Sequence, residues 1–211
     1  MSEACEILHR WANTLPRLNA SYAAGEVPKN GIYLVFESGE LAHGGNRIVR
    51  VGTHTGKDNL PKRLHEHLFK PNKDRSIFRK HIGRCLLADD PFLAQWNFDL
   101  TSRANKVKFA DRVDMLRQHD VEARVSQYIT DNLEFVVFPV KEKHERLELE
   151  KSLLATIKCC ADCKPSPNWL GLKHQAEIIR EGLWNIQGFG GQPLNVSTVQ
   201  ALAFHTEARE S

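Results

Sequence analysis

Two short runs rich in β-branched and aromatic residues constrain this chain more than anything else in it. Residues 31–37 read Gly-Ile-Tyr-Leu-Val-Phe-Glu, and residues 47–53 read Arg-Ile-Val-Arg-Val-Gly-Thr. Both have the composition of buried or half-buried strands. Between them lie Ser38-Gly39 and His43-Gly44-Gly45-Asn46, a turn-forming cluster. The economical solution is an antiparallel hairpin with a longish loop. Side chains alternate across a strand, so Tyr33 and Val35 share one face while Ile32, Leu34 and Phe36 share the other. By the same rule Ile48, Arg50 and Gly52 share a face on the second strand. Residues 133–140 (Leu-Glu-Phe-Val-Val-Phe-Pro-Val) read as a third strand. The pattern predicts an α+β fold, a small central antiparallel sheet of about three strands flanked by helices.

Two helical segments carry unusual polar residues. After the second strand, Pro61 falls where a first helical turn tolerates it. Leu60, Leu64 and Leu68 recur every four residues as one apolar stripe. Arg63 and His67 are also four apart, so they stand one above the other beside that stripe. Residues 144–160 form a second helical pattern, with Leu147, Leu153, Leu154 and Ile157 as its apolar stripe. Glu150 falls inside that stripe. An ionised carboxylate on a packing face is costly unless a cation or donors face it.

Taken in order, these words resemble the GIY-YIG nuclease superfamily. Gly31-Ile32-Tyr33 matches the first word letter for letter. Arg50-Val51-Gly52 is similar to the second, with arginine where the family usually has tyrosine. Leu60-x-x-Arg63-Leu64-x-x-His67 resembles the family's arginine helix, and Leu149-Glu150-x-x-Leu153-Leu154 its metal-binding helix. Pro165-Ser166-Pro167-Asn168 resembles the place where the family has its asparagine. The resemblance implies a phosphodiester hydrolase acting on DNA, with Tyr33, Arg50, Arg63, His67, Glu150 and Asn168 as its catalytic set. Glu150 would hold Mg²⁺ (or Mn²⁺), Arg63 would clamp phosphate, and Tyr33 would orient and deprotonate water. His67 would bond Tyr33 or relay its proton, and Asn168 would hold a loop. Arg50 either lowers the pKa of Tyr33 or grips phosphate, or it points away and the site is impaired. The function expected is a Mg²⁺-dependent endonuclease of restriction or defence type. A structure-specific repair nuclease and a catalytically silent nucleic-acid-binding module are the alternatives. A protein that keeps only the fold would have no use for a carboxylate on an apolar stripe.

The remaining sequence bounds this reading. With 41% hydrophobic and 26% charged residues in 211, a packed core is expected and disorder is not. The length suits one domain with elaborations. The expected organisation is an N-terminal helical extension (1–28), a nuclease domain (29–170) holding a helical insertion (88–131), and a C-terminal extension packed on the core (171–211). A net charge of +3 is too mild to diagnose nucleic-acid binding by itself. No apolar run reaches membrane-spanning length and no signal segment is evident, so a cytoplasmic protein without a membrane partner is expected, with DNA as partner and a homodimer possible. Residues 6–18 read as an amphipathic helix ending near Pro16, with Ile7, Leu8, Trp11 and Leu15 on its packing face. Ser76 is a suitable N-cap. Arg75, Arg79, Lys80 and Arg84, with Lys62, Lys70 and Lys73, form an expected basic surface for phosphate contacts. In the insertion, Phe92, Trp96 and Phe98 are expected in the core, and Val121, Val125, Tyr128 and Ile129 form a helical stripe. Asn105-Lys106-Val107-Lys108 reads as a polar turn. Five cysteines fit reduced thiols. Cys160-x-x-Cys163 has zinc-knuckle spacing, but no second pair follows and Cys5, Cys85 and the histidines are scattered, so free thiols are expected. The tail reads as a helix closing at Gly182 that folds Trp184 back on the core, then a short final helix within 193–211.

Overall fold

The computed structural model describes residues 2–207. The fold is α+β, with a three-stranded antiparallel sheet between helices. Strand β1 (Gly31–Ala42) lies at the centre, between β2 (Gly45–Gly52) and β3 (Leu133–Pro139). The hairpin is tighter than the turn cluster suggested. β1 runs through Ser38-Gly39, and the turn is only His43-Gly44, both with positive φ (53° and 76°). That is the backbone of a two-residue hairpin turn whose twist matches its strands. Gly39, also at positive φ, absorbs an irregularity inside β1.

Register decides which residues meet. Tyr33 pairs with Gly52 and Val35 with Arg50, but Phe36 pairs with Ile48. Val49 is therefore an extra residue, a β-bulge. Ile48 leaves the face of Arg50 and joins Ile32, Leu34, Phe36 and Val51 in one core cluster, contrary to strict alternation. Val49 joins Tyr33 and Val35 in the other.

Helices cover both faces. The Ile32 face packs against α1 (Ser2–Thr14), α7 (Lys143–Lys158) and α9 (Val196–Glu207). The Tyr33 face packs against α2 (Leu60–Leu68), α3 (Ile77–Leu86) and α6 (Met115–Asn132). Helix α1 begins earlier than expected because Ala4 and Cys5 already belong to its buried stripe. It ends at Thr14, because Leu15 precedes a proline that disfavours helical backbone there. The insertion holds two short helices, α4 (Leu93–Trp96) and α5 (Arg103–Lys108), before α6. Phe92 and Trp96 are buried as expected, whereas Phe98 is half-buried and stacks on Phe109. The stretch 105–108 is helical rather than a turn, because Ser102 caps it through the Asn105 N–H. The tail helix is a single turn, α8 (Glu177–Arg180), followed by Gly182 at φ 118°. Trp184 is fully buried. Residues 208–211 lie outside the described residues.

Several charges expected on the surface are inside. Ser76 caps α3 by accepting the Arg79 N–H, and this turns the Arg79 side chain inward. Its Nε and Nη2 donate to Glu122 Oε2 at 3.1 and 2.9 Å, and Nη2 also donates to Ser126 Oγ at 2.6 Å. Glu122 accepts the Lys73 N–H as well. Lys80 donates to the Asn97 carbonyl, and Arg84 Nε to Asn97 Oδ1. Arg79 and Lys80 are thus structural, and Arg84 is half-buried; Lys62, Lys70 and Arg75 remain exposed. Removing one partner of a buried pair leaves an uncompensated charge. Glu122→Ala should therefore lose about 3–5 kcal/mol of stability, and adding Arg79→Met should restore most of it, as read by urea unfolding.

Candidate active site

Tyr33 lies across Gly52. Any Cβ at position 52 would collide with the Tyr33 hydroxyl, so the glycine of the second word makes room for the phenol of the first. Arg50 takes the adjoining space. Its Nε donates to Tyr33 Oη at 3.3 Å, its Nη1 donates to the Trp184 carbonyl at 3.1 Å, and its guanidinium faces the Phe78 ring at 4.8 Å. Arg50 therefore points into the site, and both it and Tyr33 are buried.

Helix α2 brings Arg63 and His67 from the Tyr33 side. Arg63 is the more open: its Nη1 donates to the Arg75 carbonyl at 3.2 Å and lies 3.5 Å from Glu66. His67 is buried, with Nδ1 2.6 Å from Ser76 Oγ and its ring 6.0 Å from that of Tyr33. Its Nε2 has no hydrogen-bond partner among the described residues. Burial, then the charges of Arg50, Arg63 and Arg79, hold its proton affinity well below the usual imidazole range. His67 is accordingly a neutral ring and a poor proton acceptor.

Glu150 arrives from the opposite side of the sheet, on α7. It is half-buried, and it lies near the backbone N–H of Thr53, the residue that follows β2. Burial raises its pKa above the usual carboxylate range, while Arg50, the Thr53 N–H and Arg63 pull it back. One phenol, two guanidiniums and one carboxylate thus gather at the C-terminal end of β2. A half-buried carboxylate with hard oxygen donors, which forms no ion pair among the described residues, suits a divalent cation that keeps most of its waters.

Asn168 does not join this group. It is exposed, at the far end of the Pro165–Pro167 turn. A different asparagine does the bracing: Asn185 Nδ2 donates to the Val51 carbonyl at 2.8 Å, and its Oδ1 accepts the Val51 N–H at 3.2 Å. The sequence signal was a polar residue directly after the buried Trp184, in a segment otherwise read only as packing. Arg75 lines a groove of ≈ 630 Å³ with Lys70, Asn72, Lys106 and Gln118, next to Arg63.

A family model described as GIY-YIG domain matches residues 3–207. The chain belongs to the GIY-YIG family. As a GIY-YIG protein it is a nuclease, a phosphodiester hydrolase whose substrate is DNA. No curated protein and no solved structure gives a match. Among the described residues, no helix is long and apolar enough to cross a membrane.

Two outcomes are expected. Gly52→Ala should displace the phenol and abolish cleavage while costing only about 1–3 kcal/mol through overpacking, checked by pairing cleavage assays with thermal unfolding. Burial also depresses His81 to about 3 and His174 to about 4, so with His67 three imidazoles stay neutral in the fold. The unfolded chain binds protons there once the pH drops below the ordinary imidazole value of 6.5. Stability should therefore fall progressively as the pH is lowered from 6.5 towards the folded values, and His67→Gln should make that fall shallower in urea titrations.

Proposed function

We propose that this GIY-YIG protein is a Mg²⁺-dependent DNA endonuclease of restriction or defence type. The observation that carries the reading is the gathering of Tyr33, Arg50, Arg63 and Glu150 at one end of β2. Hydrolysis of a phosphodiester needs an activated water and positive charge for the negative charge that builds in the transition state. Arg50 donates to Tyr33 Oη, so a fixed positive charge stands beside the oxygen that must carry negative charge when the phenolate acts as base. The phenolate takes a proton from water. The resulting hydroxide oxygen bonds to phosphorus as the bond to the leaving oxygen breaks. Arg63, the most open cation of the set, clamps the phosphate with its planar donor fork. A Mg²⁺ (or Mn²⁺) ion on Glu150 would supply Lewis-acid polarisation of the phosphate. His67 orients the phenol rather than relaying its proton, because burial and three arginines keep its ring neutral.

The restriction reading is supported by the groove beside Arg63. Lys70, Arg75 and Lys106 line it, and Lys106 comes from the helical insertion. Phosphate contacts there would hold duplex in register, and the insertion would supply selectivity. One observation favours a second reading, a silent DNA-binding module. Tyr33 is only 2% exposed and its hydroxyl is already engaged by Arg50.

Purified protein incubated with plasmid and with branched or lesioned duplexes, in Mg²⁺ and in EDTA, separates these readings. A repeated fragment pattern that requires Mg²⁺ and Glu150 is the expected result. Nicking confined to branched or lesioned duplexes points to repair, and DNA retention without breakage, unaffected by Glu150→Gln, points to the silent module. The raised pKa of Glu150 gives a further expectation. A carboxyl whose folded pKa lies above its unfolded value loses stability as the pH rises through that interval. Glu150→Gln should therefore raise the melting temperature at neutral pH while abolishing cleavage. The gain should vanish below the ordinary glutamate value of 4.5. Mg²⁺ should stabilise the wild type and not the variant.

A further inference from the structure

A second constellation lies on the opposite side of the sheet from Tyr33. Cys5 comes from α1, His43 from the hairpin turn, and Cys160 and Cys163 from the loop after α7. Their ligand atoms all lie within 4.8 Å of one another. Cys5 Sγ is 3.4 Å from Cys163 Sγ, and His43 Nε2 is 3.4 Å from Cys160 Sγ and 3.3 Å from Cys163 Sγ. Zinc bonds of about 2.3 Å to sulfur and about 2.0 Å to nitrogen require tetrahedral edges of about 3.5–3.8 Å. The three shortest of these separations lie within a few tenths of an ångström of that range, and the widest, at up to 4.8 Å, reaches it with a shift of about an ångström. We propose that Cys5, His43, Cys160 and Cys163 form a structural zinc site that staples α1, the β1–β2 turn and the C-terminal segment together.

The chemistry of the surroundings fits. Three sulfurs and one imidazole are a donor set for a soft or borderline cation, unlike the hard oxygen of Glu150. The four residues supply a closed shell of four ligands, as structural zinc sites do. His9 completes the outer shell without competing for the metal. Its Nε2 accepts the Ile48 N–H at 3.2 Å and its Nδ1 lies 2.9 Å from the Cys5 carbonyl, so both ring nitrogens are used. Its ring packs 5.0 Å from that of His43. Such outer partners fix ligand orientation. A cleft of ≈ 180 Å³ lined by Cys160 and Cys163 gives an entry path. Binding would release the protons of the three thiols, and no electron transfer is involved.

The spacing Cys160-x-x-Cys163 alone lacked a second pair. The fold supplies it from residues more than a hundred positions away: 158 separate Cys5 from Cys163, and 117 separate His43 from Cys160.

The test uses untagged full-length protein purified under reducing conditions. One zinc ion per chain should survive gel filtration, and Cys5→Ser, His43→Ala and Cys163→Ser should reduce it to none, whereas the exposed Cys159→Ser should retain it. Cobalt added after zinc removal should give the intense visible bands of a tetrahedral thiolate site. Cys5, Cys160 and Cys163 should alkylate only after a chelator is added, with a lower melting temperature. If the serine variants fail to fold, the cobalt spectrum and the chelator-dependent alkylation of the wild type decide alone. Wild type that holds no zinc, gives no cobalt bands and alkylates equally with and without chelator overturns the proposal. So does an intact mass two hydrogens light, which would mean a Cys5–Cys163 disulfide.

Discussion

The placement of the Tyr33 ring over Gly52 is the constraint on which the candidate site depends. It follows from register: the two residues face each other across β1 and β2, so the ring has room only if its partner has no side chain. Once the phenol lies there, Arg50 can reach its hydroxyl only from the same face, two pairs along the ladder. Helices on both faces then bring Arg63 and Glu150 to that end of the strand. The bulge at Val49 serves the other face, returning Ile48 to the core beneath α1.

Much of the cost of this arrangement is electrostatic. Arg47, Arg50, Arg79 and Arg146 are all buried, and each is held by carboxylates, carbonyls or rings rather than by water. Arg47 bonds Glu40 and the Gly182 carbonyl, and Glu40 in turn bonds Ser166, so one buried ion pair joins the hairpin to the tail. Glu37 collects Tyr128, Trp169 and Trp184 in the same way. Such networks contribute little net stability against an apolar substitute, but breaking one partner is severe. They hold dipoles and charges in fixed positions before any substrate arrives, which is what transition-state stabilisation needs.

The strands, the α+β class and the helix carrying Arg63 and His67 were legible because each rests on local periodicity. Glu150 stood out on the same ground, since a carboxylate on an apolar stripe is anomalous without any knowledge of the fold. What was not legible depends on contacts distant in sequence. Arg79 and Lys80 look like surface cations until α6 brings Glu122 and the 97–98 turn brings its carbonyls. Asn168 fits by order along the chain, yet Asn185 is the asparagine whose amide meets β2, because Gly182 turns the backbone back toward the sheet. Two cysteines in one loop gave a spacing, but not the identity of the residues folded against them.

The outer border of β2 is closed one group at a time. Asn13 bonds both the N–H and the carbonyl of Asn46, His9 accepts the Ile48 N–H, Trp184 donates to the Val49 carbonyl, and Asn185 bonds both groups of Val51. Side chains and tail therefore occupy the sites where another strand would have to dock. Two copies therefore cannot associate by continuing the sheet across this border.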